Sequence, residues 1–462
     1  MDASALAARV HAKQISAREV VTACLAQIER VNPIVNAIVT LAAEHAMAAA
    51  AAADEAIVRR GPIGVLHGLP IAHKDLFDTA GICTTRGSPF FRDHVPTNDA
   101  LIVARARAAG AITIGKTNTP EFGAGSQTFN TIFGATRNPY DLTKTVGGSS
   151  GGSAAALACR MVPLADGTDI GGSLRNPAAF CNVVGLRPSP GRVPNELTSW
   201  SPLPVSGPMA RTVSDVALFL SAIAGPDSRN PLSLSDAGDQ FRGSLERDFT
   251  GTRVAWWTGL GGIAFEPEVA RVVNATRTIF EDLGCSVDAA EPDFDGIDEA
   301  FATLRYIATH AQHASIVRER PEWVKETIRF EVDQAQRLTG ADVGRALARQ
   351  ARMFDETRQF FERYDYFILP TTQVEPFAVE TPYPIAINER PMQTYIDWMR
   401  SCWYVTMMAA PAISIPAGFS ASGLPVGLQI VGRHRDDRSV LQLAFAYERV
   451  TRHSQQRPHV IE

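Results

Sequence analysis

Lysine is the scarce residue of this chain: five of its 44 basic residues are lysines, at positions 13, 74, 116, 144 and 325, and arginine supplies the rest. A lysine set in an apolar segment therefore calls for an explanation. No run of 18 apolar residues occurs, which excludes a membrane-spanning helix on length. No long basic block occurs either, and 44 basic against 49 acidic residues leave a net charge of −5. Neither nucleic acid nor an anionic membrane is expected as a partner. The six cysteines (Cys24, Cys83, Cys159, Cys181, Cys285 and Cys402) form no C-x-x-C pair. That argues against a zinc site or a disulfide framework and for reduced thiols in a cytoplasmic protein. Met1-Asp2-Ala3-Ser4 carries an early acid and no basic flank leads into an apolar core, so no secretion signal is expected.

What is present is ordinary globular texture: 462 residues, 45% hydrophobic and 20% charged. Length would suggest about three domains of roughly 150 residues, but large α/β sheets exceed that as one unit. No repeat or low-complexity linker marks a cut, so one domain over residues 1–462 is expected. Residues 1–60 read as helical, with Ser16-Ala17-Arg18-Glu19 as a capping box and an alanine-dense helix over 42–56. Strands are expected over 69–74, 111–115, 161–165, 253–257 and 285–289, alternating with helices over 99–109, 153–159 and 268–283. Residues 297–363 read as almost continuously helical, and strand signals return at 367–369, 412–415 and 426–431. The fold class is α/β, one large sheet with a helical insert in its second half.

The densest unusual stretch is Gly147-Gly148-Ser149-Ser150-Gly151-Gly152-Ser153, at the start of an alanine-rich helix. Successive N–H groups there could cradle an oxyanion or a phosphate. The G-x-x-x-x-G-K-[ST] phosphate loop is absent, however. G-x-S-x-G is matched around Ser149 and around Ser150, but the preceding 139–144 reads as a turn, whereas a hydrolase elbow needs a strand there. A second glycine motif, Gly167-Thr168-Asp169-Ile170-Gly171-Gly172-Ser173-Leu174-Arg175, presents Ser173 after a strand. The N–H groups of Ile170, Gly171 and Gly172 are candidate oxyanion donors beside it. A serine nucleophile needs a base, yet no histidine accompanies either motif and no S-x-x-K occurs. Lys74, closing the apolar run Leu69-Pro70-Ile71-Ala72-His73, is the remaining candidate, because desolvation favours a neutral amine. His73 reads as structural.

Together these pieces resemble the amidase signature family of serine hydrolases. Lys74, the 147–153 run and the 167–177 segment carry the resemblance. Thr117-Asn118-Thr119-Pro120-Glu121-Phe122, Thr136-Arg137-Asn138-Pro139 and Gly423-Leu424-Pro425-Val426-Gly427-Leu428-Gln429-Ile430 fit the same pattern. The resemblance covers nearly the whole chain and is weakest over 227–411, the expected substrate-shaping region. It implies the amidase signature fold, a large mixed sheet with helices on both faces. It also implies a Ser-Ser-Lys triad in which Ser173 attacks the carbonyl. Ser149, held through a cis peptide bond, relays the proton to neutral Lys74, and no metal or organic cofactor takes part. Asp169 and Arg175 are expected to pair and fix the turn, and Gly125, Ser126 and Gln127 to line the substrate entrance. Phe129, Phe133, Trp200, Tyr306, Trp398 and Trp403 could furnish an aromatic pocket, although most read equally well as core, so they point only slightly to a small apolar or aryl amide; carbamates (urethanes) and esters share the acyl-transfer geometry. The resemblance is compatible with a homodimer. The rival from another class is the A subunit of a tRNA-dependent glutamyl/aspartyl amidotransferase complex, which uses the same triad inside an obligate complex; a non-catalytic binding relative is disfavoured by an intact triad.

Overall fold

The computed structural model describes residues 1–196 and 200–461. Its centre is a mixed sheet of eleven strands. In chain order these are β1 (Ile38–Leu41), β2 (Pro70–Lys74), β3 (Ile112–Thr117), β4 (Leu164–Asp169), β5 (Val184–Arg187) and β6 (Val205–Ala210). The second half adds β7 (Arg253–Trp256), β8 (Ser286–Ala289), β9 (Tyr366–Pro370), β10 (Ala412–Phe419) and β11 (Pro425–Val431). They lie in the order β1-β3-β2-β4-β6-β5-β10-β11-β9-β7-β8. The pairs β2–β3, β2–β4, β9–β7 and β7–β8 are parallel and the others antiparallel.

Alternation along the strands explains the layering. Ile71 and Leu164 join one apolar cluster while their neighbours Ala72 and Ala165 join another. In the second half Val254, Ile368 and Ile413 face the first cluster, whereas Ala255, Phe367 and Ala412 face a third. A strand with both faces buried in this way must be covered by helices on both sides. The helix Gly151–Ala158, whose eight residues are all buried, lies on the face that Ala72 shares. No helix among the described residues is long and apolar enough to cross a membrane.

Three local expectations are corrected. The strand read over 161–165 begins at Leu164 and continues through Gly167 to Asp169. Gly167 is no turn residue there: a Cβ on it would sit 2.4 Å from Ser150 Oγ, so close packing demands glycine. The turn read over 139–144 overlaps the strand Asp141–Thr145, which pairs with Arg137–Asn138 outside the main sheet. The helix read over 268–283 is two, Pro267–Asn274 and Arg277–Asp282; Thr276 Oγ1 donates to Val273 O at 2.8 Å between them. The helical insert appears as Ile297–Glu319, Glu326–Arg337 and Gly340–Arg363.

Candidate active site

Lys74 ends β2 with its side chain 0% exposed. Successive strand residues diverge: His73 Nδ1 meets Asp166 Oδ2 at 2.5 Å, while Lys74 Nζ faces a cluster of hydroxyls. Nζ lies 2.7 Å from Ser149 Oγ, 3.0 Å from Ser150 Oγ and 2.9 Å from Thr168 Oγ1. Burial drives its pKa from 10.5 down to about 7, against the opposing pull of Asp169 and Asp166. Asp75, the next residue in the chain, accepts instead from Thr85 and lies near Lys116.

Ser149 and Ser150 precede the helix Gly151–Ala158, and the Gly148–Ser149 peptide is cis. The glycine run between 147 and 152 is not the anion cradle that its composition suggests, because the N–H groups of its four glycines already have protein acceptors. Gly147 donates to Thr145 Oγ1 at 3.0 Å, Gly148 to Asn176 Oδ1 at 3.0 Å and Gly151 to Thr128 Oγ1 at 3.1 Å. The glycines serve close approach: a Cβ on Gly152 would lie 2.3 Å from the Asn118 nitrogen. The two serines are not equivalent. Ser150 Oγ donates to Thr168 O at 3.4 Å, whereas Lys74 is the one protein partner of the Ser149 hydroxyl among the described residues.

β4 delivers Asp169 and the turn that carries Ser173. Asp169 is buried against two arginines, at 2.9 Å from Arg175 and 3.2 Å from Arg187. Burial alone would raise its pKa; Arg175 and Arg187 more than reverse this and hold the carboxyl below its usual range. Asp169 also accepts from the N–H groups of Gly172 and Leu174, each at 3.1 Å. Gly172 is thus already engaged, which removes it from the three expected oxyanion donors. The N–H groups of Ile170 and Gly171 have no acceptor among the described residues. Arg175 continues to Cys402 O, Gln429 Oε1 and Thr406 Oγ1, so the C-terminal motif reaches the site through Gln429.

A cavity of about 200 Å³ opens over Ser149, Thr168, Asp169, Ile170 and Ser173. Leu76, Phe122, Gly123 and Ala124 form one wall. The helix Ile297–Glu319 contributes Arg305, Ala308, Thr309, Gln312 and His313. The expected entrance residues Gly125, Ser126 and Gln127 are not among the lining residues: the wall ends at Ala124 and the chain turns inward. Ser126 Oγ accepts from Trp398 Nε1 at 3.0 Å and Gln127 donates to Thr381 O, both buried. None of the six aromatics expected in a pocket lines this cavity. Trp398 stacks on Phe180 and Trp403 on Phe301 in the core, and Trp200 is exposed. The rings at the cavity are Phe122 and His313, stacked with centroids 4.6 Å apart. Burial lowers the His313 pKa to about 4, leaving it neutral at physiological pH.

Composition gave no signal for Thr168, Arg187 or Arg305. The partners of their side chains lie 16 or more positions away in the chain, and no local pattern marks them.

The family profile described as Amidase matches residues 19–441. An acylamidase of Rhodococcus erythropolis is 36% identical over 472 residues, spanning 99% of this chain and 97% of that protein. A bacterial aryl acylamidase described as belonging to the amidase signature enzymes superposes with a TM-score of 0.92 at 29% identity, over 98% of both chains. The A component of the glutamyl-tRNA(Gln) amidotransferase of Thermotoga maritima superposes with a TM-score of 0.74 at 28% identity, over 94% of this chain and 91% of that one.

Proposed function

The chain belongs to the amidase signature family of amide-hydrolysing enzymes, and from that premise we propose that Ser173 is its nucleophile, with Ser149 and Lys74 as the proton relay. The observation that carries the proposal is the 2.7 Å approach of Lys74 Nζ to Ser149 Oγ at the floor of the cavity that Ser173 also lines. A neutral amine has two N–H donors and one lone pair. Ser150 spends its hydrogen on Thr168 O, so it receives an N–H from Lys74. Thr168 Oγ1 is a natural acceptor for the second N–H. The lone pair is then left for the Ser149 hydroxyl.

In the proposed reaction Ser173 Oγ bonds to the substrate carbonyl carbon while its proton passes to Ser149 Oγ and the Ser149 proton to Lys74. The oxygen of the tetrahedral intermediate is received by the N–H groups of Ile170 and Gly171. Collapse breaks the C–N bond; the leaving amine takes a proton from Ser149, which Lys74 replenishes. Water then attacks the acyl ester through the same relay and releases the acid. The chain's own hydroxyls and amine relay every proton, with water replacing the one that leaves on the amine, so the scheme calls for no cofactor.

The substrate proposed is a small amide or carbamate, apolar or aryl near the scissile bond, with esters as side substrates. Leu76, Phe122, Ala124 and Ile170 give the cavity an apolar wall suited to that class. The whole chain would act as one catalytic unit, with 227–411 shaping the substrate site through the helix Ile297–Glu319. Its setting would be the cytoplasm, alone or as a homodimer. The amidotransferase component remains the alternative, and the higher TM-score against the aryl acylamidase supports the stand-alone hydrolase. Mass-spectrometric screening of amides, carbamates and esters with the purified chain tests this. Turnover without partner proteins is expected; activity that appears only with companion proteins and tRNA would favour the alternative.

A further inference from the structure

Arg305 stands in the cavity wall with one face of its guanidinium committed and one nitrogen uncommitted. It projects from the helix Ile297–Glu319 and is 7% exposed. Its Nε donates to Glu331 Oε1 at 2.8 Å, and its Nη2 donates to the Tyr395 hydroxyl oxygen. Tyr395 donates in turn to Glu331 Oε1 at 2.8 Å, and Thr309 Oγ1 donates to Glu331 Oε2 at 2.6 Å. This closed set fixes the guanidinium plane through two of its nitrogens, Nε and Nη2. Nη1 alone has no acceptor among the described residues. Nη1 is not enclosed by protein: it opens on the cavity, where its N–H groups are free to meet an acceptor on a bound molecule. Arg305 and Thr309 line the same cavity as Ser149 and Ser173.

We propose that Arg305 is a substrate-binding residue whose Nη1 donates to an uncharged oxygen of the substrate other than the scissile carbonyl. The proposal rests on the Ser173 reaction above and narrows its substrates to amides or carbamates bearing a second acceptor, such as a ketone, ester or ether oxygen. Charge decides between an uncharged and an anionic acceptor. Burial would lower the pKa of Arg305, but Glu331 and Tyr395 more than offset it, so the guanidinium stays charged. Glu331 already balances that charge at 2.8 Å. A substrate carboxylate would set a second anion against one cation, with Glu196 also lining the cavity, whereas Asp169 is already balanced by Arg175 and Arg187. The fixed plane also makes the donor directional, which suits the lone pair of a carbonyl or ether oxygen.

The test compares kcat/KM for the anilides of butanoic, acetoacetic and succinic acid, and for acetanilide against its para-acetyl derivative, so that an acceptor is offered on either side of the scissile bond. Each ratio is measured in wild type and in the double variant Arg305→Met with Glu331→Gln, which removes both charges together and avoids leaving one buried alone. At least one neutral acceptor should favour the wild type by about tenfold over its ratio in the double variant, the usual worth of one hydrogen bond from a charged donor. Thermal melting establishes that the variant is folded; if it is not, Arg305→Lys is measured for the same ratios. Ratios unchanged by substitution, or a preference for the succinic anilide, would overturn the proposal. Fluorophosphonate labelling of wild-type Ser173 is scored separately, since its failure would sink the nucleophile assignment and not the acceptor site.

Discussion

Lys74 Nζ stands 2.7 Å from Ser149 Oγ, and the two side chains are 0% and 1% exposed. An amine removed from water at that distance from a hydroxyl can work as a base near neutrality, because burial brings its pKa to about 7. The expected consequence is a kcat/KM that rises about tenfold per pH unit below pH 7 and levels above it. Lys74→Ala should lose most activity together with that limb, while Lys144→Ala, on the small outer hairpin, should keep both. A pH–rate profile with a neutral substrate decides; a limb that persists in Lys74→Ala would place the base elsewhere.

Ser173→Ala should reduce turnover by roughly 10³-fold or more, the usual loss when a nucleophile is removed. A fluorophosphonate should label wild type at Ser173 and leave Ser173→Ala unlabelled. Peptide mapping of the adduct makes the assignment, and an adduct on Ser149 or Ser150 would reassign it.

The neighbouring serines should rank unequally. Ser149→Ala interrupts the proposed relay and should be severely impaired, whereas Ser150→Ala removes an acceptor for Lys74 and a bond to Thr168 O and should be affected less. The readout is kcat for both variants on one substrate. A greater loss in Ser150→Ala would exchange their roles.

Asp169→Asn should be costly to stability. Asp169 faces both Arg175 and Arg187 in a buried site, and removing one partner of a buried charge cluster typically costs about 3–5 kcal/mol. The same carboxylate accepts from Gly172 and Leu174, so the turn around Ser173 should loosen too. A melting temperature within a degree or two of wild type would show that the cluster is not what holds the turn.

Lys74, Ser149 and Ser173 were legible as candidates because each sits in a short segment whose composition is odd for its surroundings: one lysine closing an apolar strand, and serines among glycines. The reason for the glycines was not legible. Composition suggested exposed N–H groups, whereas the chain uses these residues to bring Ser150 against Gly167 and Gly152 against Asn118. Lys116 shows the same limit. It follows an apolar run much as Lys74 does, and the structure buries it on Thr79 and Thr84, with burial lowering its pKa to about 8. Arg305, Glu331 and Tyr395 were invisible for another reason. The three meet across 26 and 90 positions of the chain, and long-range pairing leaves no local periodicity. Trp398 and Trp403 read equally well as pocket or core, since only packing separates the two.

Burial of the Lys74 amine should also show in the pH dependence of stability. In the folded protein its pKa is about 7, below the roughly 10.4 of an unfolded lysine. Between those values the unfolded chain binds more protons, so this group makes stability rise with pH across that window. Below about pH 7 both states are protonated and the penalty of a buried ammonium is present in full; above about pH 10.4 it is gone. Lys74→Met keeps the volume and removes the charge. Its loss of hydrogen bonds to Ser149, Ser150 and Thr168 does not depend on pH, whereas its relief from the charge does. The melting temperature of Lys74→Met relative to wild type should therefore be most favourable near pH 6 and decline steadily towards pH 9.5. The buried Lys116 and Lys325 titrate in both proteins and cancel in the difference. A difference that is flat with pH, or that grows as pH rises, would mean that Lys74 is not held neutral by burial, and the base assignment would fall with it.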